Sequence, residues 1–115
     1  MEKTSEFGKG TTYCLGLFLA HSEREEIATV KDNFSAEIWF NASTDHLHEL
    51  VIPQRCKRET KKRIKSFQDR CFNYRTGREL ADKASVRWAI EEAKELLRLI
   101  DIECLNVKAI EAEWK

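Results

Sequence analysis

The sequence predicts an all-α fold, an antiparallel bundle of about four main helices that forms a single domain over residues 1–115. The whole chain contains one proline and four glycines, so few residues interrupt helices. Apolar residues recur at three- and four-residue steps within 79–103, which is the period of a helix with one buried face. With 42% hydrophobic and 35% charged residues, the composition is typical of a compact, highly charged helical protein.

Four segments of the chain are predicted to form the helices of this bundle. Pro53 ends the second helix, because the residue before a proline disfavours helical backbone, and Gly77 ends the third. The tail that follows the fourth helix is predicted to dock on the bundle through Ile110 and Trp114. The predicted helices run from about Thr12 to Val30, from Asn33 or Ser35 to Val51, from Lys57 to Tyr74, and from Glu79 to Glu103.

The fourth predicted helix carries two carboxylates at the margin of its apolar stripe. At ~100° per residue, Glu92 falls between Leu96 and Leu99, and Glu95 falls beside Trp88. A partly buried carboxylate must be paired, hydrogen-bonded, bound to a metal or protonated. Two interpretations stay open, namely ion pairs with Arg or Lys of a neighbouring helix, and a metal site.

The second predicted helix shows a similar polar sector. Asp45 and Glu49 are four residues apart, so on a helix they are neighbours and their oxygens can reach one ion. The alternative is a buried polar network that holds the helices in register. His46 and His48 diverge on a helix, and their role is left open.

The third predicted helix is strongly basic. Residues 51–78 contain ten Lys and Arg against Glu59 and Asp69. A basic helix can bind the phosphates of a small ligand, bind nucleic acid through residues 55–65, or be a solvated surface that balances acidic neighbours. The candidate phosphate-binding residues are Lys61, Lys62, Arg63 and Lys65.

Five residues of the fourth predicted helix, Glu91-Glu92-Ala93-Lys94-Glu95, resemble the EExxE motif of the MazG-like, all-α nucleoside triphosphate pyrophosphohydrolases. The resemblance implies a helical bundle, often dimeric. It also implies Mg²⁺ bound by acidic residues of two antiparallel helices, and cleavage of a nucleotide to its monophosphate and pyrophosphate. Glu92, Glu95 and Glu91 would be metal ligands. The family's second motif, ExxD, does not follow Glu95, so an upstream helix would have to supply Asp45 and Glu49.

These patterns together predict a hydrolase that uses Mg²⁺ or Mn²⁺ and acts on a nucleotide phosphate, with Glu91, Glu92, Glu95, Asp45 and Glu49 as candidate ligands and the catalytic residues unassigned. The alternatives are a non-catalytic interaction or assembly protein and a nucleic-acid-binding module. The resemblance implies a dimer. We expect the protein in the cytoplasm, since no segment approaches the ~20 apolar residues of a membrane span and no secretory signal is present.

Overall fold

The computed structural model of the protein describes residues 2–24 and 29–105, and the side chains of residues 11–22 and 29–103. The helices in these ranges are α1 (Glu2–Arg24), α2 (Asn33–Ser43), α3 (Arg58–Thr76) and α4 (Lys83–Ile100). A 3₁₀ turn (Leu47–Glu49) follows α2, and a π turn (Asp101–Leu105) continues α4. The described residues contain no strand, which confirms the all-α bundle. The predicted contacts of Ile110 and Trp114 lie outside the described residues.

The structure corrects three predicted helix boundaries. Helix α4 begins at Lys83 rather than Glu79, because Asp82 caps its start. Helix α1 begins at Glu2 rather than Thr12, because a polar stretch without proline is compatible with helical backbone. Helix α2 ends at Ser43 rather than Val51. At its end, both the backbone N–H and the side-chain hydroxyl of Thr44 donate to the Phe40 carbonyl. Pro53 therefore follows the end of α2 by ten residues and is not what stops it.

Two helices start with the same local motif, an Asp–Ser capping box. Asp32 accepts a hydrogen bond from the Ser35 backbone N–H at 2.8 Å, and Ser35 Oγ accepts one from the Asp32 N–H at 3.0 Å. Asp82 and Ser85 repeat this arrangement at the start of α4, with distances of 2.8 and 3.3 Å. These bonds satisfy backbone donors that a helix start leaves unpaired. They also lower the pKa of both Asp carboxyls.

Gly77 ends α3 as predicted. It adopts a left-handed conformation, with φ 77°, that a residue with a Cβ adopts only at a cost. The chain can then turn back into α4, which runs antiparallel to α3.

The core of the bundle is built around six aromatic side chains. Each ring contacts two others, with centroids 4.9–6.3 Å apart, so the contacts form a closed cycle through all four helices. Small residues of α4, Ala89 and Ala93, are fully buried and let the neighbouring helices approach closely. The six rings, in the order of their contacts, are Phe18, Trp39, Phe40, Tyr74, Trp88 and Phe67.

Within the described part of the chain, we find no helix with the length and apolar character needed to cross a membrane. Three of the four cysteines, Cys14, Cys56 and Cys71, are buried as expected. Burial raises the pKa of the Cys14 and Cys71 thiols, so these groups stay protonated at neutral pH.

Replacing a ring of the aromatic cycle should strongly destabilise the protein. Phe67 is fully buried and contacts Phe18 and Trp88, so we expect Phe67→Ala to lower the free energy of unfolding by about 3–5 kcal/mol. Tyr13 is 61% exposed, and Tyr13→Ala serves as the aromatic control, with an expected change within about 0.5 kcal/mol. Chemical denaturation measures both, and equal effects would contradict this account of the core.

The capping box of α4 should make stability depend on pH. Hydrogen bonds from Ser85 lower the pKa of Asp82 in the folded state, so its ionised carboxylate stabilises the fold above the unfolded-state pKa, and this stabilisation is lost as pH falls through the lowered pKa. Asp82→Ala should therefore destabilise the protein at neutral pH, and the difference from the unmodified protein should shrink below about pH 4. Denaturation at both pH values measures this. A difference that stays constant down to pH 2 would argue against the ionised cap.

Candidate functional site

The candidate site lies where α3 and α4 pack side by side. Arg63 of α3 donates two hydrogen bonds to the Glu92 carboxylate of α4, from Nε at 2.6 Å and from Nη2 at 2.8 Å. The Glu92 side chain is only 13% exposed. A two-point pair of this kind is the strongest common form of ion pair, and it raises the pKa of Arg63. Glu92 thus lies at the margin of the core, as predicted, and an arginine neutralises it.

Glu95 has an arginine partner of its own. Arg98, three residues later on α4, donates to its two oxygens at 2.8 and 2.6 Å. These bonds lower the pKa of Glu95 and raise that of Arg98. Glu91 is exposed and lies 3.7 Å from Lys94. The concave surface between α3 and α4 is lined by Arg63, Trp88, Glu91, Glu92, Lys94, Glu95 and Arg98.

The other two predicted ligands do not lie on a helix face. Because α2 ends at Ser43, Asp45 falls in a turn and Glu49 ends the 3₁₀ turn, so the four-residue helical spacing between them does not apply. Asp45 binds Arg75 of α3 at 3.0 Å. His46 Nδ1 and His48 Nε2, which a helix would separate, both face the Glu49 carboxylate at 3.7 and 3.9 Å.

The structure brings Glu91, Glu92 and Glu95 to one surface and places Asp45 on another, beside His21 and His46. Among the residues that the structure describes, no three His, Cys, Asp or Glu side chains are arranged to share a metal ion. The contacts that do form match the ion-pair interpretation of these carboxylates. The metal site stays a prediction.

Of the four candidate phosphate-binding residues, Arg63 already uses its guanidinium on Glu92. Lys65 pairs with Asp69 of the same helix at 3.2 Å. Lys61 and Lys62 form no ion pair with a carboxylate of the described residues. Phosphate binding at these positions stays a prediction.

Sequence reasoning missed Glu103. The π turn after α4 carries this carboxylate to the start of α3, where it accepts hydrogen bonds from the Lys57 backbone N–H at 2.7 Å and from the Thr60 hydroxyl at 2.8 Å. It therefore serves as the N-terminal cap of α3, which Lys57 cannot provide with its own side chain. Local sequence contains no signal for a cap that comes from a residue 46 positions away.

The structure also brings together a serine and a histidine that are distant in sequence. Ser43 Oγ lies 3.5 Å from His21 Nδ1, at the long limit of a hydrogen bond. Ser43 is buried and is the last residue of α2, where the partial negative charge of the helix end disfavours a developing oxyanion. This pair is best explained as a contact that ties α1 to α2, not as a nucleophile with its base.

Comparisons with protein-family models, with curated proteins and with solved structures find no match for this chain. The similarity to the MazG-like pyrophosphohydrolases therefore rests on the five residues from Glu91 to Glu95.

Removing the charge of Glu92 distinguishes the two interpretations of this carboxylate. Since Glu92→Gln leaves Arg63 without its ion pair, we expect the free energy of unfolding to fall by ~1 kcal/mol. The loss is small because the Arg63 side chain is 44% exposed, so solvent screens its charge. The loss should be the same with chelator and with millimolar Mn²⁺. Thermal and chemical denaturation measure it.

The matched control is Glu91→Gln, the same substitution one residue earlier at a side chain that is 76% exposed. It should change stability by less than about 0.5 kcal/mol. If Mn²⁺ instead raises the melting temperature of the unmodified protein and Glu92→Gln abolishes that rise, the metal interpretation is correct, because an ion that binds only the folded state stabilises it.

Proposed function

We propose that this chain is a helical assembly protein that associates with a second copy of itself through the outward face of α2. The observation that carries the proposal is the exposure of two large apolar side chains on that face, Phe34 at 72% and Ile38 at 50%. Exposed apolar surface concentrated on one face is typical of an interaction site, whereas single scattered apolar residues are not.

Helix α2 is apolar on two sides. Phe34 and Ile38 are four residues apart and therefore adjacent on the helix surface. They lie roughly 170° around the helix axis from the buried side, at ~100° per residue. The buried side consists of Ala36, Trp39, Phe40 and Ser43. The buried side packs against the core of the bundle. The outward pair, Phe34 and Ile38, stays exposed and has no packing partner among the described residues.

The outward face of α2 differs from those of its neighbours. The outward residues of α4 include Arg87, Glu91 and Lys94, and the corresponding face of α3 is basic. The only charged residue within α2 is Glu37. The Glu37 carboxylate is directed toward Gly77 in the turn after α3. Its Oε2 atom lies 3.4 Å from the position that a Cβ of residue 77 would occupy. The charge of Glu37 is therefore at the edge of the outward face.

The loop before α4 contacts the start of α2. Asn33 Nδ2 donates to the Ala81 carbonyl at 2.7 Å, which joins the start of α2 to that loop. The residue before Ala81 is Leu80, which is 76% exposed. Exposed apolar side chains therefore occur both on α2 and in the loop that contacts its start.

A second copy suits this surface for a physical reason. A two-fold axis places the same patch opposite itself, so Phe34 of each subunit can pack against Ile38 of the other. Since the patch carries little charge, two copies meet without like-charge repulsion, and there is no charge pattern that would select a different partner.

The contacts of the carboxylates give little support to the pyrophosphohydrolase prediction, and for this reason we propose self-association instead. Glu92 and Glu95 each bind an arginine, and Asp45 lies on a different surface. The hydrolase activity stays a prediction, and the denaturation experiments with Mn²⁺ test it separately from self-association.

Changing the apolar pair to charged residues should abolish self-association. In the double variant Phe34→Glu and Ile38→Glu, each dimer would bury four uncompensated carboxylates, so we expect the dimer Kd to rise at least about tenfold. Sedimentation over a range of protein concentrations measures this shift. Circular dichroism should stay unchanged, because both positions face solvent in the single chain.

Val51→Glu is the control, since it places the same charge at an apolar residue that is 52% exposed outside α2. It should leave the dimer Kd within about twofold. A protein that sediments as a monomer at every concentration, or a control variant that dissociates as readily as the double variant, would refute self-association through α2.

A further inference from the structure

We propose that the outward face of the first half of α3 binds the phosphate backbone of duplex nucleic acid. The basic face, as we call this surface, consists of Lys57, which directly precedes α3, and of Arg58, Lys61, Lys62 and Lys65 within the helix. It lies on a different helix from the proposed dimer contact and does not depend on self-association.

Helix geometry places the central cations in one row. Arg58, Lys62 and Lys65 follow one another at steps of four and three residues, which is the spacing of neighbours on one helix face. At a rise of ~1.5 Å per residue, the row extends over roughly 10 Å. The opposite face of α3 is buried in the core through Ile64, Phe67 and Cys71, so the row is directed away from the bundle.

Most of these charges have no partner within the described protein. Lys57, Arg58, Lys61 and Lys62 form no ion pair with a described carboxylate, and only Lys65 does, with Asp69 at 3.2 Å. This differs from Arg63 on the adjacent side of the helix, whose charge is neutralised by Glu92. Unpaired cations are the groups that contribute to binding when they displace the counterions of a polyanion.

The acidic groups near the basic face do not cancel it. Glu103 is bound to the Lys57 N–H and to the Thr60 hydroxyl, so it lies beside Lys57. Because Thr60 belongs to the buried side of α3, this carboxylate lies away from the row of Arg58, Lys62 and Lys65. Glu59 is the only carboxylate between Lys57 and Lys65. Among the described residues, this surface therefore keeps an excess of positive charge although the chain as a whole has a net charge of zero.

Duplex nucleic acid fits this surface better than other polyanions do. Proteins that hold single strands stack bases on exposed aromatic side chains, and helices that bind membranes place apolar residues beside the basic ones. The exposed residues in and after the row are Ser66 and Asp69, which are neither aromatic nor apolar, and the aromatic Phe72 beyond them is only partly exposed. A rigid row of cations matches the regular array of duplex phosphates, and it predicts binding that depends on salt and not on base sequence.

Fluorescence anisotropy of a labelled DNA duplex of about two helical turns tests the proposal. The unmodified protein should bind at low salt, and the logarithm of its association constant should fall linearly with the logarithm of salt concentration. The triple variant Lys57→Ala, Arg58→Ala, Lys62→Ala should bind at least about tenfold more weakly and lose roughly three units of salt slope, one for each phosphate contact removed.

The matched control removes three cations from α4, through Lys83→Ala, Arg87→Ala and Lys94→Ala. All three are exposed, and the change in net charge is the same. This variant should bind within about twofold of the unmodified protein. Circular dichroism confirms that both triple variants keep the helical fold.

Three results would overturn the proposal. The first is no change in anisotropy at low salt. The second is an equal loss of affinity in both triple variants, since this would mean that net charge alone attracts the duplex. The third is stronger binding to vesicles made of equal parts phosphatidylcholine and phosphatidylserine than to the duplex, which would assign the basic face to a membrane surface.

Discussion

The closed cycle of aromatic contacts is the constraint on which the rest of the structure depends. Phe18 of α1 touches both Trp39 of α2 and Phe67 of α3, and Trp88 of α4 completes the cycle through Phe67 and Tyr74. Large rings packed mostly at steep angles leave little freedom to rotate or slide one helix against another. The cycle fixes which side of each helix faces the core, and it thereby determines which residues of that helix face solvent.

The polar margin of the bundle is set by the same packing. Once Trp88 lies against Phe67, α3 and α4 run antiparallel with Arg63 opposite Glu92 and Arg70 over the Trp88 ring, 4.9 Å from its centre. A carboxylate that is largely removed from water needs a partner, and the neighbouring helix supplies an arginine. Within the described residues, Glu92 links α4 to α3, whereas Glu95 pairs with Arg98 of its own helix. Glu103 at the start of α3 forms a second link between these two parts of the chain.

The outward surfaces have different chemistry, and this difference is the basis of both proposals. The outward side of α2 carries an exposed apolar pair beside Asn41, that of α3 is basic over its first half, and that of α4 carries charges of both signs. An apolar face suits a copy of itself and a basic face suits phosphates. Because the two surfaces lie on different helices, a dimer formed through α2 would leave the basic face of each subunit accessible to a ligand.

By itself the sequence determined the all-α fold, the buried stripe of α4, the stop at Gly77 and the position of Glu92 at a core margin. Each follows from local properties, namely the scarcity of proline and glycine, the backbone freedom of one glycine, and residue spacing along one helix. Only the tertiary structure decided which groups meet. Arg63 and Glu92 are 29 residues apart, and Glu103 caps a helix that begins 45 residues earlier. The end of α2 at Ser43 was missed because the apolar residues after it continue a helical pattern while they pack in a 3₁₀ turn and loop. Periodicity reports the burial of a residue, whereas the partner of a polar group depends on how the helices pack.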